Sequence, residues 1–234
     1  MNLDAVVNGQ DWPALAQSLD VSGFARLPGL LTREQCAELV ALYPQQEYFR
    51  SRVIMARHGF GRGEYQYFSY PLPDRVRELR RLLYPHLAPL ANRWNALMDI
   101  DVRFPETLEA FLQRCHAAEQ SRPTPLLLQY VEGDYNCLHQ DLYGELVFPL
   151  QVAILLARPG QDFTGGELVM TQTDGTQQQA HLIPLQQGDG VIFTVNQRPI
   201  PGKRGMRRVA MRHGVSQVRS GHRHTLGLIF HDAR

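Results

Sequence analysis

Residues 130–148 read YVEGDYNCLHQDLYGELVF, with the triplet His139-Gln140-Asp141 near the middle. Side chains on a β-strand alternate between its two faces, so His139 and Asp141 would point the same way and Gln140 would point away. An imidazole and a carboxylate placed like this can reach one metal ion from one side. The triplet alone fits a surface histidine and aspartate at a strand end equally well.

A third ligand would have to come from elsewhere, and His213 in the run Arg-His-Gly-Val-Ser (212–216) is the best candidate. Two histidines and one carboxylate form the facial triad of non-haem Fe(II) oxygenases, which leaves three octahedral positions open for other ligands. The sequence therefore predicts a metal and catalytic site of His139, Asp141 and His213.

The composition sets limits on the class of protein. With 234 residues and 44% hydrophobic content, the chain can bury a full core and is expected to be one domain. The formal net charge of +1 implies no bulk attraction to nucleic acid or to a membrane. The N-terminus lacks a basic and apolar leader, and no apolar run is long enough to span a bilayer. We therefore expect a cytoplasmic protein with no membrane partner.

Three widely spaced cysteines are expected to be free thiols: Cys36, Cys115 and Cys137.

Residues 1–120 show mainly helical patterns. Asp11 begins a short helix with Pro13 in its first turn, and Thr32 with Gln35 fits a capping box for a helix that ends at Pro44. The stretch 48–72 predicts a hairpin or a covering loop around a glycine-rich turn at 58–64. Asp74 begins a helix whose arginines (Arg75, Arg77, Arg80, Arg81) are expected on a solvated face, and separate helices follow through Trp94 and Leu97 and from Thr107 to Glu119.

From Pro125 onward, short apolar strands separated by turns replace the helical patterns. Many short strands at this spacing favour a sandwich or jelly roll over alternating βαβ units. The predicted fold class is α+β, with a jelly-roll core over 125–232 and helices 1–120 packed against one face.

Two further features fit a metal site at the mouth of such a core. Phe163 to Leu168 contains the turn Gly165-Gly166, as expected where backbone must pack closely. Arg223 follows His213 by ten residues, and in a hairpin about Ser220-Gly221 both side chains could enter one cavity. A bidentate guanidinium there would hold the distal carboxylate of a dicarboxylate ligand.

In these features the chain resembles the Fe(II)/2-oxoglutarate-dependent dioxygenase superfamily, whose fold is a double-stranded β-helix jelly roll. The HxD triplet, the distal histidine, the arginine ten residues later and the GlyGlyGluLeu turn occur together and in order. Within the superfamily, GDYNCLHQDLYGELVFPLQ and HGVSQVRSGHRHTLGLIFHDA resemble a bacterial family predicted to demethylate damaged nucleic-acid bases oxidatively, as AlkB-like enzymes do.

The resemblance implies that His139, Asp141 and His213 hold Fe(II) and that Arg223 binds the C5 carboxylate of 2-oxoglutarate. Tyr130 occupies the place of a tyrosine near the co-substrate in related hydroxylases, although a core aromatic residue is an equal alternative. Thr225 and Gln151 could line the same pocket. The implied reaction uses Fe(II), 2-oxoglutarate and O2 to hydroxylate a C–H bond or to remove an N-methyl group as formaldehyde.

The substrate remains open at the level of sequence. The segment 198–212 carries six basic residues and no acidic one, and some of this charge is expected near the pocket mouth: Arg198, Lys203, Arg204, Arg207, Arg208 and Arg212. The aromatic run Phe60, Tyr65, Tyr67 and Phe68 could stack a flipped base. Basic residues could equally bind an acidic peptide or a free carboxylate, which leaves protein, peptide or amino-acid hydroxylation and other small molecules as alternatives. A non-catalytic jelly-roll binding module is the remaining alternative, and the intact set of His139, Asp141, His213 and Arg223 argues against it.

Overall fold

The computed structural model describes residues 2–142, 144–203 and 205–234. The helices lie in the N-terminal half, as the sequence predicts. In chain order they are α1 Leu3–Asn8, α2 Trp12–Ser22, α3 Arg33–Val40, α4 Asp74–Leu97 and α5 Leu108–Ala117.

The strands begin between the helices and occupy most of the chain after residue 125. In chain order they are β1 Phe24–Leu27, β2 Phe49–Ile54, β3 Gly61–Arg62, β4 Glu64–Phe68, β5 Leu126–Tyr130, β6 Tyr135–His139, β7 Leu150–Leu155, β8 Phe163–Gly165, β9 Leu168–Asp174, β10 Gln177–Ile183, β11 Gly190–Thr194, β12 Gln197–Gly202, β13 Gly205–Val215, β14 Val218–Gly221 and β15 Arg223–Leu228.

Two antiparallel sheets form the core. The larger sheet has seven strands in the order β1-β11-β7-β15-β5-β4-β2. The second has the order β10-β9-β13-β6-β3, with β12 paired to β13, and β14 pairs separately with β8. One buried cluster joins residues from both sheets, among them Tyr130, Phe163, Met170, Phe193 and Met211. The antiparallel jelly roll predicted from the sequence is confirmed.

The helices cover the outer face of the seven-stranded sheet. A single buried cluster joins helical residues such as Leu19, Leu83 and Trp94 to sheet residues such as Val152 and Leu226. When both faces of a sheet are covered, the sequences of its strands are apolar almost without interruption. This explains the nearly continuous apolar sequences of β7 and β11. Among the residues the structure describes, no helix is both long and apolar enough to cross a membrane.

Several local predictions are confirmed. Asp11 caps α2 by accepting from the Ala14 amide at 3.1 Å, and Thr32 and Gln35 form the capping box of α3. β2 and β4 pair as a hairpin around the glycine-rich turn. Two bounds differ: α3 ends at Val40, before Pro44, and Thr107 caps a helix that ends at Ala117. Cys36 and Cys115 are buried free thiols, and Cys137 is an exposed one.

The prediction of two helices between Asp74 and Leu97 was wrong. α4 is one continuous helix of 24 residues that contains Pro85 and Pro89. A proline inside a helix costs about 3 kcal/mol because it removes a backbone donor and crowds the preceding turn. Burial of Leu83, Leu87 and Trp94 on the same face, before and after the prolines, offsets this cost.

The expectation of a solvated arginine face on α4 was wrong for Arg80. Its side chain is 1% exposed and forms an ion pair with Asp232, with Nη2 at 2.8 Å from Oδ1. Its Nε donates to the carbonyl oxygen of Ile229 at 2.8 Å. The Tyr70 hydroxyl and His116 Nε2 both lie 2.8 Å from the other carboxylate oxygen. Arg80 therefore ties the helical layer to the chain just beyond β15, an arrangement that helical periodicity cannot reveal.

Replacing Arg80 by leucine should lower the free energy of unfolding by about 3–5 kcal/mol, because the Asp232 carboxylate would be left buried without its cation. Urea unfolding of Arg80→Leu against the wild type measures this loss. Arg77→Leu is the matched control, since Arg77 forms an exposed ion pair with Asp74 and its loss should cost no more than about 1 kcal/mol. Equal losses in the two variants would contradict a stabilising role for the buried pair.

Candidate functional site

The pairing of β13 with β6 brings the two histidines together. His213 lies directly opposite His139 in the antiparallel register. Directly paired residues project their side chains to the same face of a sheet. The two imidazole rings accordingly lie side by side, with centroids 4.2 Å apart, and both line the cavity between the sheets.

Asp141 reaches the same place by a different route from the predicted one. β6 ends at His139, so strand alternation does not place Asp141. Its carboxylate nevertheless lies 3.4 Å from His139 Nε2 and 3.3 Å from His213 Nε2. The candidate ligand atoms of all three residues lie within 4.8 Å of one another. The structure thus brings together the three residues that the sequence predicted.

Hydrogen bonding orients the His139 ring. Its Nδ1 lies 2.8 Å from the carbonyl oxygen of Cys137, so Nδ1–H donates and Nε2 faces Asp141 and His213. A backbone carbonyl that fixes the ring tautomer in this way is common behind metal-binding histidines. The His139 side chain is 32% exposed, whereas those of His213 and Asp141 are 10% and 12% exposed. One ligand therefore lies at the mouth of the cavity and two lie deeper.

The pKa shifts of Asp141 and His213 favour the protonation states that bind a cation. Burial raises the pKa of Asp141, but hydrogen bonds from His139 and His213 outweigh it and hold that pKa well below its usual value. Burial also lowers the pKa of His213, and this outweighs the attraction of Asp141. For His139, burial lowers the pKa, but contacts with Asp141 and the Cys137 carbonyl raise it overall. An ionised carboxylate and a neutral buried imidazole are the states that bind metal, and this donor set fits Fe(II).

The cavity that contains the cluster has a volume of about 220 Å³ and lies between the two sheets. Its walls are mostly apolar, with several polar residues among them. Those polar residues are Tyr130, Asn136, His139, Gln140, Asp141, Gln151, His213, Arg223 and Thr225.

Arg223 lines the same cavity from the seven-stranded sheet, opposite the sheet that carries His139 and His213. It is 4% exposed, lies opposite Tyr130 in the pairing of β15 with β5, and donates from Nη1 to Thr225 Oγ1 at 2.7 Å. Its Nε is buried and has no hydrogen-bond partner in the described part of the chain. An unpaired buried donor on a cation is costly, so this guanidinium fits a carboxylate ligand.

The turn at Gly165-Gly166 packs against Arg223. Gly166 has a φ of +61°, and a Cβ there would lie 2.9 Å from Arg223 Cδ and 2.9 Å from Val218 Cγ2. Glycine therefore meets two requirements at this position, the left-handed backbone and the close approach of the arginine side chain. This explains the glycine pair that the sequence analysis singled out.

The predicted hairpin between His213 and Arg223 was wrong. β13 and β15 belong to different sheets, and β14 lies between them in the chain and pairs with β8. The chain crosses from one sheet to the other over these ten residues. His213 and Arg223 consequently enter the same cavity from opposite sheets.

Gln151 lines the cavity as expected, but at the cluster end. Thr225 pairs with Leu155 on β7, and Gln151 lies four residues before Leu155 on that strand, about 13 Å away at the usual rise of a strand. Gln151 is 4% exposed, and its Nε2 has no partner among the described residues. Its donor faces a different part of the cavity from the donors of Arg223.

Sequence reasoning missed Asn136, which lines the cavity and donates to the Tyr130 hydroxyl at 3.4 Å. Strand alternation puts Asn136 and His139 on opposite faces. The pairing shifts here, because His213 lies opposite His139 while Val215 lies opposite Asn136. Such a bulge adds one residue to β6 and reverses the alternation, and no residue in the sequence signals it.

The basic segment 198–212 is placed differently from the expectation. None of its described residues lines the cavity. Arg198 is buried and donates to the carbonyl oxygens of Asp20 and Val21, Arg207 pairs with Asp174, and Arg208 donates to the carbonyl of Met98. These three side chains are therefore engaged elsewhere in the fold, and Arg204 lies outside the described residues.

The aromatic run divides into two parts. Phe60 and Tyr65 line the cavity, and Phe60 is 47% exposed at its mouth. Phe68 is completely buried under the helical layer, and Tyr67 packs with Leu126 and Ile229. Only the first two residues are therefore placed to contact a ligand.

Comparisons with known proteins agree with this arrangement. Two proteins from strains of Mycobacterium tuberculosis, both called uncharacterized, are 47% identical over 167 residues, which is 71% of this chain and 72% of each of theirs. A Pseudomonas putida prolyl-4-hydroxylase has a similar fold, with a TM-score of 0.55 and 15% identity over 95% of this chain and 99% of its own. An oxidoreductase of the 2OG-Fe(II) oxygenase family from Burkholderia pseudomallei gives a TM-score of 0.55 and 16% identity over 96% and 93%.

Residues 63–233 match the model of a family described as an oxygenase catalysing oxidative methylation of damaged DNA. This match covers most of the chain, including the His139, Asp141 and His213 cluster, Arg223 and the Gly165-Gly166 turn. The fold resembles that of these solved structures, and two histidines with one carboxylate are a donor set that fits Fe(II). The chain belongs to this oxygenase family and is an oxidoreductase.

Proposed function

We propose that residues 1–234 form a single Fe(II)- and 2-oxoglutarate-dependent dioxygenase domain in which His139, Asp141 and His213 hold the iron. Arg223 binds the distal carboxylate of 2-oxoglutarate, and Thr225 and Tyr130 lie beside it. The observation that carries this proposal is the placement of two histidines, one carboxylate and a buried guanidinium in one cavity.

When bound, Fe(II) supplies the activation of O2, so that 2-oxoglutarate, O2 and a substrate C–H bond become succinate, CO2 and a C–OH group. The chain supplies position and environment. Arg223 fixes one end of the co-substrate, and the triad fixes the ion at the other end of the cavity. Apolar walls such as Leu128, Leu168 and Val215 exclude water from the space between them.

For the primary substrate we propose an N-methylated nucleobase. Hydroxylation of its methyl group gives an unstable product that loses formaldehyde and restores the base. Support comes from the description of the family and from Phe60 and Tyr65, whose rings line the cavity where a base could stack.

The second candidate is a peptide or an amino acid, with stable hydroxylation as the outcome. The observation in its favour is the apolar wall, together with the position of the basic segment 198–212, none of whose described residues lines the cavity. An uncharged aliphatic group such as a prolyl ring suits this environment.

Arg223→Leu should raise the 2-oxoglutarate concentration needed for half-maximal succinate formation by at least about 30-fold. Losing one partner of a buried charge pair costs about 2–5 kcal/mol, and each 1.4 kcal/mol is a factor of ten. Succinate formation at varied 2-oxoglutarate measures it. Arg219→Leu is the control, because Arg219 is exposed and pairs with Glu167. A larger effect at Arg219 than at Arg223 would transfer the role to Arg219.

Gly166→Ala should also weaken 2-oxoglutarate binding, because the new Cβ would push the Arg223 side chain from its position. Gly175→Ala provides a matched control: its φ of +58° imposes similar backbone strain, but no atom lies within 4 Å of a Cβ there. Gly175→Ala should lose only the stability that its backbone strain costs, Gly166→Ala should lose somewhat more, and only Gly166→Ala should show a raised co-substrate requirement. If both variants needed the same concentration of 2-oxoglutarate, this would show that Gly166 does not act through Arg223.

A turnover screen by mass spectrometry should separate the two substrate classes. Methylated single-stranded oligonucleotides, prolyl peptides and free amino acids are incubated with Fe(II), 2-oxoglutarate and either the wild type or Asp141→Ala. We expect loss of one methyl group per succinate from an oligonucleotide, and no product from Asp141→Ala. Hydroxylated peptide or amino acid, with unchanged oligonucleotides, would replace the nucleobase proposal with the second candidate.

A further inference from the structure

The chain leaves the sheet between two of the proposed metal ligands. β6 ends at His139, opposite His213 in β13. If the antiparallel ladder continued, Asp141 would lie opposite Met211, about 7 Å along the strand from His139. Instead Asp141 folds back so that its two oxygens contact both imidazoles.

The Gln140 side chain lies where the backbone pairing of β6 with β13 ends. Its Nε2 donates to the carbonyl oxygen of Met211 at 2.8 Å and to that of Asn196 at 3.1 Å. Met211 precedes His213 by two residues on β13, and its own amide donates to the Asn196 carbonyl at 2.7 Å. A primary amide offers the same donor as a backbone N–H. The Gln140 side chain thus satisfies one strand acceptor, the Met211 carbonyl, at the point where the backbone turns away.

We propose that Gln140 is a positioning residue for the metal centre, which holds Asp141 at bonding distance by anchoring its peptide to the strand that carries His213. This inference rests on the proposed metal site. It assigns a role to the middle residue of the triplet. Strand alternation predicts that the side chain of this residue points away from the ligands.

The geometry explains why such an anchor matters. Bonds from imidazole and carboxylate to a divalent metal are about 2.0–2.2 Å long, with a tolerance of about 0.2 Å. His139 and His213 are held relative to each other by strand pairing, whereas Asp141 lies in the irregular segment beyond β6. The bond from Gln140 to the Met211 carbonyl links this segment to the strand that carries His213, and the bond to the Asn196 carbonyl links it to the turn before β12. All three candidate ligands are thereby held relative to β13.

Gln140→Leu keeps the size of the side chain and removes both bonds. Apo-protein is titrated with Mn(II) by calorimetry, and the Co(II) complex is followed by visible absorption, which reports the ligands of the ion. We expect at least a tenfold weaker Mn(II) affinity, since changes to groups behind the ligands typically cost 10–100-fold. We also expect an altered Co(II) spectrum. Gln140→Met provides a second variant of similar length if the leucine variant does not fold.

The matched control is Gln187→Leu. Gln187 also donates from its side-chain amide to a backbone carbonyl, that of Leu156 at 2.9 Å, but it does not line the cavity. Both variants should lose similar thermal stability, whereas Gln187→Leu should bind Mn(II) as the wild type does. Wild-type affinity and an unchanged Co(II) spectrum in Gln140→Leu would overturn the positioning role while leaving the metal site intact. Failure of the wild type to bind more Mn(II) than Asp141→Ala would overturn the metal site and this inference with it.

Discussion

The pairing of β13 with β6 is the interaction on which the candidate site depends. It places His213 opposite His139 and directs both rings into the space between the sheets. The bulge in β6 then turns Asn136 toward the same space, and the end of the strand lets Asp141 fold back. A one-residue change in this register would send the histidine rings to opposite faces. The candidate metal site is therefore a consequence of strand pairing as much as of residue type.

The seven-stranded sheet, which lies opposite the sheet that carries His139 and His213, contributes further polar residues to the cavity. Arg223, Thr225 and Tyr130 lie on the adjacent strands β15 and β5, and Gln151 lies further along β7. Because the two sheets face each other, a molecule in the cavity meets a cation-binding cluster from one sheet and a guanidinium from the other. The close packing of Gly166 on the Arg223 side chain keeps that guanidinium in place.

The helical layer holds the sheet that carries Arg223. Arg80 of α4 donates to the Ile229 carbonyl and pairs with Asp232, just beyond the end of β15. Arg198 similarly joins β12 to the end of α2 through the carbonyl oxygens of Asp20 and Val21. Two arginines that the sequence presents as surface charge thus connect layers of the fold.

The sequence by itself determined the fold class and the capped helices, and it indicated a hairpin or a covering loop over 48–72 and a set of candidate site residues, because these depend on local periodicity and on residue chemistry. Tertiary structure alone decided how those residues meet. Contacts between segments distant in the chain determine the route of Asp141, the different sheets of His213 and Arg223, and the bulge that turns Asn136 toward the cavity. Such contacts also determine the single helix through Pro85 and Pro89. Burial of Arg80 and Arg198 depends on such contacts as well. Alternation and helical spacing describe one element at a time, whereas register, strand ends and buried ion pairs are settled by the free energy of packing one element against another.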